Sequence, residues 1–340
     1  MFDLFGGGMT KKPSGTFYRH ILADAWRTVR ANKALWLLGF FVSFLGNGGV
    51  YELLVQGTGR LGLREDFGQF ASLGLLPGWG RLSSSLESLN AGNIVIVLLV
   101  ALTAITLTVV AFWVVISAQG GLIVGARDGG RERKTTFGSL FAAGNEMFAP
   151  LFALNILSRL AIMAFFYLLL ALTVLYLADA NIWSVLAYLS GFIFLIPITL
   201  IIGFVTIYAA CYIALQRLSF VAAIESAIAL FRKYWLISIE TAFILFGVNL
   251  LAAAGIGLVT GAAGIALIPF LIGATLLKSS IALSLVAALA ALVGVIFLAF
   301  VGAFLAAFQY AVWVSLFTKL HVRGHGSTSK LARWFQHLLK

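Results

Sequence analysis

Three stretches of this chain contain no charged residue at all: 88–126, 180–216 and 279–318. A helix needs roughly 20 residues to cross about 30 Å of hydrocarbon, so each stretch is nearly twice the length of one crossing. Each therefore holds a span with an interfacial extension, or two tightly turned spans. The rest of the composition agrees, with 61% of residues hydrophobic and 10% charged. Soluble domains carry about 25% charged residues. At a mean hydropathy of +1.04, a core formed in water could not hide this much apolar surface, so lipid is the solvent for most of the chain.

Three further apolar segments carry an occasional polar residue, namely 34–55, 151–178 and 236–260. Together the six predict an all-α polytopic bundle with spans at 34–55, 94–118, 151–177, 186–213, 236–260 and 284–314. The whole chain, 1–340, reads as a single membrane domain. Residues 1–33 form an N-terminal cytoplasmic segment with an interfacial helix, and residues 319–340 a basic amphipathic cytoplasmic tail. Met1–Gly15 has no signal-peptide apolar region, so the first span is expected to serve as an uncleaved anchor.

The basic residues orient these spans. Six fall before residue 34, four in 127–134, three in 217–233 and five from Lys319 onward, eighteen of the 23. Only Arg60, Arg64, Arg81 and Lys278 fall in the alternate loops. Lysine and arginine concentrate in cytoplasmic loops, so the asymmetry predicts a plasma (cell inner) membrane protein with both termini in the cytoplasm. A seventh span in Gly261–Leu277 would put the five-charge tail outside, so that segment, with Pro269 inside it, is read as re-entrant or interfacial. The net charge of +11 then reflects topology and attraction to anionic lipid headgroups. Nucleic acid is not an expected partner, because no basic patch is interleaved with stacking aromatics. Trp36, Trp183, Trp235 and Trp313 fall near span ends, at headgroup level.

A unit recurs. "FYRHILADAWRTVRANKALWLLGFF" (17–41) and "LSFVAAIESAIALFRKYWLISIETAF" (218–243) each run from an alanine-containing amphipathic stretch with one acid, through basic residues, to a tryptophan that opens a span. A weaker copy, "FGSLFAAGNEMFAPLFALNIL", begins at Phe137. Three repeated helical hairpins with cytoplasmic interfacial helices are the expectation. Tyr18, Ile21, Ala25 and Val29 line one face of the first stretch, and Phe220, Ile224, Ile228 and Phe231 one face of the third, spacing suited to a helix lying in the interface.

The segment "YIALQRLSFVAAIESAIALFRKYWLI" (212–237), echoed at 17–45, resembles poorly characterised prokaryotic multi-pass proteins similar to the membrane domain attached to some glycerophosphodiester phosphodiesterases. The resemblance implies a helical membrane module without assigned chemistry. Phosphodiesterase activity does not carry over, because no soluble stretch here approaches the 200 or so residues that a catalytic barrel requires.

Signatures of chemistry are missing. GxxxxGK[ST], HExxH and GxSxG do not occur, and Cys211 is a lone cysteine. His321 and His325 have the i, i+4 spacing of metal ligands, but Gly324 and Gly326 loosen that helix, so neither metal nor cofactor is expected. Ala253, Gly257 and Gly261, like Ala299, Ala303 and Ala307, follow the small-xxx-small register that lets helices approach closely in lipid.

The intramembrane polar residues are the remaining candidates. Glu240 lies four residues past Leu236 and Arg159 eight past Leu151, about 6 Å and 12 Å along their helices, so their depths overlap. Aligning the repeats puts Asn155 opposite Glu240. An isolated charge in hydrocarbon costs at least about 2.5–3.5 kcal/mol, which predicts that Glu240 and Arg159 pair. One function consistent with this pattern is a non-enzymatic scaffold, assembly or lipid-handling module. The alternative is a small-solute or ion transporter with a polar site around Glu240, Arg159, Asn155 and Asn249, using helices broken at Pro197 and in 255–264. A dry interior favours the first and a water-filled cavity the second. Partners expected in either case are membrane lipids, other membrane proteins or a second copy of the chain. In the closing residues 329–340, Leu331, Trp334, Phe335 and Leu338 form an apolar stripe flanked by Arg333, which predicts a helix lying on the inner leaflet.

Overall fold

A computed structural model describes residues 16–45, 91–129, 136–178, 181–276 and 280–323. Eight helices run through them: α1 (Thr16–Ala31), α2 (Lys33–Ser43), α3 (Ala91–Gly129), α4 (Phe137–Asn145), α5 (Phe148–Ala178), α6 (Ile182–Gln216), α7 (Phe220–Leu276) and α8 (Ser280–Arg323). No strand occurs among the described residues. Helices α3, α5, α6, α7 and α8 are each long and apolar enough to cross a membrane, which makes this a multi-pass membrane protein. The first expected span, 34–55, is described only through residue 45, mostly as the 11-residue apolar helix α2, and residues 46–55 lie outside the described residues.

Three times an approach helix, a short break and a further helix follow one another. Asn32, extended at φ −122° and ψ 92°, separates α1 from α2. Glu146 and Met147 separate α4 from α5. In α7, the single residue Tyr234 (φ −127°, ψ 27°) bends an amphipathic limb, 220–233, into the long apolar limb that follows. Each approach is thus a helix in its own right, and one or two residues take up the change of direction.

The segment 261–277 is not a separate re-entrant element. Helix α7 continues through it to Leu276, and α6 likewise runs through Pro197. An interior proline costs a helix one hydrogen bond, but in lipid any larger break would leave several backbone groups without partners. The broken helices expected of a transporter at Pro197 and in 255–264 are therefore not formed.

Packing is concentrated at one end. The main core draws on α1 and α2, on Val115–Ala126 of α3, on Leu140 to Leu154, on Tyr208–Ala214 of α6, on Ala223 to Leu245 of α7 and on Ala307–Leu320 of α8. The other halves of the long helices carry exposed apolar side chains, such as Leu98, Leu177, Ile193, Leu258 and Val293. Water would penalise such a surface, whereas lipid tails solvate it at no such cost. Glycines bring the helices together at the packed end. A Cβ on Gly144 of α4 would run into the carbonyl oxygen of Ser117, and one on Gly39 of α2 into that of Ala303.

The tight α2–α8 contact contains two of the predicted small residues, Ala303 (4% exposed) and Ala307 (0%), while Ala299 lines a groove beside them. The other register is different. Gly257 and Gly261 have no neighbouring atom within 4 Å of a built Cβ, so nothing among the described residues packs on them. Leu331, Arg333, Trp334, Phe335 and Leu338 lie outside the described residues.

Candidate functional site: a polar layer inside the bundle

The packed end contains hydrogen-bonded polar side chains drawn from six helices. The Tyr18 hydroxyl of α1 donates to the Glu240 carboxylate of α7, and both residues are 8% exposed. The amide nitrogen of Asn155 on α5 donates to Gln119 Oε1 of α3 at 2.7 Å and to its own helix at Leu151 O, 2.8 Å. Gln119 in turn donates through Nε2 to the Tyr310 hydroxyl of α8 at 3.1 Å. Nearby, Tyr208 Oη and Ser238 Oγ lie 2.7 Å apart, and Gln309 Nε2 donates to Asn249 Oδ1 at 2.8 Å.

These contacts answer the cost of polar groups in an apolar medium. An unpaired buried donor or acceptor costs about 1–3 kcal/mol, and more if it is charged. No buried side-chain nitrogen or oxygen among the described residues lacks a partner. Helical spacing explains the alignment: Asn155 follows Leu151 by four residues, so it shares the inward face and reaches the same core.

Glu240 and Arg159 do not meet. The Arg159 Nη2 donates instead to the carbonyl of Leu45 at 2.6 Å. Leu45 lies just past the C-cap of α2, and a guanidinium there satisfies a backbone carbonyl and complements the helix dipole. The pairing expected from depth fails because depth does not specify direction around the helix axis. The helix end lies beside Arg159, and the amphipathic helix α1 reaches Glu240.

The interfacial reading of the short helices also changes. Tyr18, Ile21, Ala25 and Val29 face protein and belong to the main core. In the α7 limb, the buried residues are Ala223, Ala227 and Leu230, while Ile224, Ile228 and Phe231 are half-buried at the edge of an apolar groove. That limb is apolar on two faces, one for the core and one beyond it.

Three ion pairs or charged contacts decorate the same end of the bundle. Lys319 Nζ lies 2.9 Å from Asp24, Arg217 Nη1 2.7 Å from Glu146, and Arg127 Nε 3.1 Å from Asp128. Gln216 and His321 approach to 3.0 Å, which engages His321 without any metal-ligand cluster among the described residues.

Sequence reasoning missed Gln119 and Tyr310, and it placed Tyr18 on an interfacial stripe without a polar role. Gln119 had a usable signal, as a carboxamide inside the charge-free run 88–126. Tyr310 did not, since a tyrosine at such a position reads equally well as core or interface.

The fold and its polar layer define a class: a multi-pass α-helical membrane protein whose interior polar groups bond to one another. Comparison of the chain with family models, curated proteins and solved structures finds no match.

Proposed function

We propose that this chain is a non-enzymatic, six-span module of the plasma (cell inner) membrane, both termini cytoplasmic, that acts in the cell envelope as a scaffold, assembly or lipid-handling unit. The observation that carries the reading is the saturation of the polar layer. Glu240, Asn155, Gln119 and Tyr310 are all under 9% exposed, and each is hydrogen-bonded to a neighbouring helix. A transport site needs polar groups that face a passage, as the broken helices of transporters do. Here the same groups hold helices together.

Three open grooves among the described residues, of about 530–580 Å³, are lined mainly by apolar side chains with a cation at each, as a protein that engages lipid would require. The resemblance of 212–237 to phosphodiesterase-associated membrane domains points the same way, and the three short-helix–break–span units are read as repeated hairpins. Membrane lipids with anionic headgroups are the expected partners, together with other membrane proteins or a second copy of the chain.

Vesicles containing the purified protein and a pH-sensitive dye test this directly. The protein should add no proton or ion leak. A flux that Glu240→Gln abolishes would replace this reading with transport through the polar layer.

A further inference from the structure

Two of the apolar grooves share a wall. One lies between α6 and the long limb of α7, with Pro197, Phe204, Trp235 and Phe243 among its lining residues and a volume of about 560 Å³. The other lies between α5, α6 and the amphipathic limb of α7, with Leu157, Ala161 and Ile228 among its lining residues and a volume of about 530 Å³. Ile201, Phe231 and Arg232 line both.

Arg232 therefore stands where the two grooves join, two residues before the bend at Tyr234. It is exposed, and it makes no ion pair or hydrogen bond among the described residues. The neighbouring Lys233 stacks over the Tyr234 ring at 5.2 Å instead. A cation at the junction of two apolar channels matches the chemistry of an anionic diacyl phospholipid, which carries one phosphate and two chains.

The first repeat supplies a second instance of this pattern. Lys33, Trp36 and Phe40 of α2 line a groove of about 580 Å³ against α8, and Arg232, Trp235 and Ile239 occupy the same three relative positions beside the groove between α6 and α7. Each set presents a cation, then an indole one turn along, then an apolar side chain one further turn along. An indole suits the headgroup boundary, and the deeper positions suit acyl chain. The site at Arg232 has two channels, one on each side of Phe231.

We propose that Arg232 binds the phosphate of an anionic phospholipid whose two acyl chains lie on either side of Phe231, one in each groove. The lipid comes from the cytoplasmic leaflet, which rests on the orientation proposed above. Phe231 is half-buried and stacks on Phe204 at 5.5 Å, forming a fixed divider between the chains.

Native mass spectrometry of the full-length protein in detergent tests the site, with phosphatidylglycerol and phosphatidylcholine of identical chains added in competition. Wild type should retain one phosphatidylglycerol in preference to phosphatidylcholine. Arg232→Gln should cut that preference about fivefold, the effect of one basic group near an anionic surface. Arg232→Lys should keep most of it, and Arg19→Gln, which removes an exposed cation of α1, should leave it unchanged. Ala161→Trp and Ala242→Trp, which fill one groove each, should weaken retention of both lipids.

Equal retention by wild type and Arg232→Gln would overturn the proposal. So would tryptophan variants that retain lipid normally, or full competition by the chainless headgroup glycerophosphoglycerol. A proton leak in the vesicle assay alongside selective retention here would refute the proposed function and leave this site standing. No leak together with unselective retention would do the reverse.

Discussion

The Tyr18 hydroxyl hydrogen-bonds the Glu240 carboxylate across 222 positions of sequence, joining the first amphipathic helix to the span that begins at the bend in α7. This contact explains an acid in an apolar span. A buried carboxylate with a phenol donor costs less than an isolated one and gains direction from that bond. It also locks α1 onto the bundle, where Ile21 and Val29 are already buried.

Removing either partner costs the other a hydrogen bond. Tyr18→Phe leaves the carboxylate short of a donor, and Glu240→Gln weakens a charge-assisted bond; each should lower stability by about 1–3 kcal/mol. The double variant should fall short of the summed effects by about 1 kcal/mol, as coupled neighbours do. Thermal unfolding in one detergent checks the cycle, and additive losses would contradict it.

Arg159 supports a helix end and is independent of Glu240. Arg159→Gln should destabilise the fold by about 1–2 kcal/mol through the lost bond to Leu45 and the lost charge at the C-terminus of α2. Combined with Glu240→Gln, the losses should add within about 0.5 kcal/mol. A coupling of 1 kcal/mol or more would restore the pair expected from depth alone.

The glycines divide into two groups. Gly144→Ala and Gly39→Ala force a methyl group into the carbonyl of Ser117 or Ala303, and overpacking of this kind costs about 1–3 kcal/mol. Gly257→Ala meets open space and should be neutral, or stabilising by up to about 1 kcal/mol from helix propensity. Unfolding midpoints of the three variants test the contrast; a large loss at Gly257 would indicate a packed neighbour there.

Much of this architecture was legible in the sequence because burial in lipid needs only length and apolarity. The runs 88–126, 180–216 and 279–318 each fall largely within one long helix, and Lys33, Tyr234 and Trp235 mark where approach helices turn into spans. The inward face of α1 was equally plain from the spacing of Tyr18, Ile21, Ala25 and Val29. What covers that face was not legible, since periodicity identifies an apolar stripe without saying whether protein or lipid lies against it. In the third unit, Ile224 and Ile228 mark an interfacial stripe by their spacing, whereas Ala223 and Ala227 are buried because small side chains permit the closest helix contact. Arg159 was misassigned for a related reason: its partner is a backbone carbonyl, and backbone acceptors have no sequence signature.

Orientation rests on the distribution of lysine and arginine. Single cysteines introduced between residues 60 and 85 should react with a membrane-impermeant maleimide on intact cells, and a cysteine at 330 only after permeabilisation. Labelling of residue 330 on intact cells would contradict a cytoplasmic tail.

Solvent access to the polar layer distinguishes a sealed interior from a passage. Cysteines replacing Asn155 and Thr241, 5% and 2% exposed, are introduced one at a time after Cys211 is changed to alanine, with a cysteine replacing the exposed Arg217 as the reactive reference. In permeabilised vesicles, a small water-soluble methanethiosulfonate should modify position 217 to completion while 155 and 241 remain unmodified. Modification of 155 or 241 at a rate comparable with 217 would show water in the layer and contradict a bundle closed by its own hydrogen bonds.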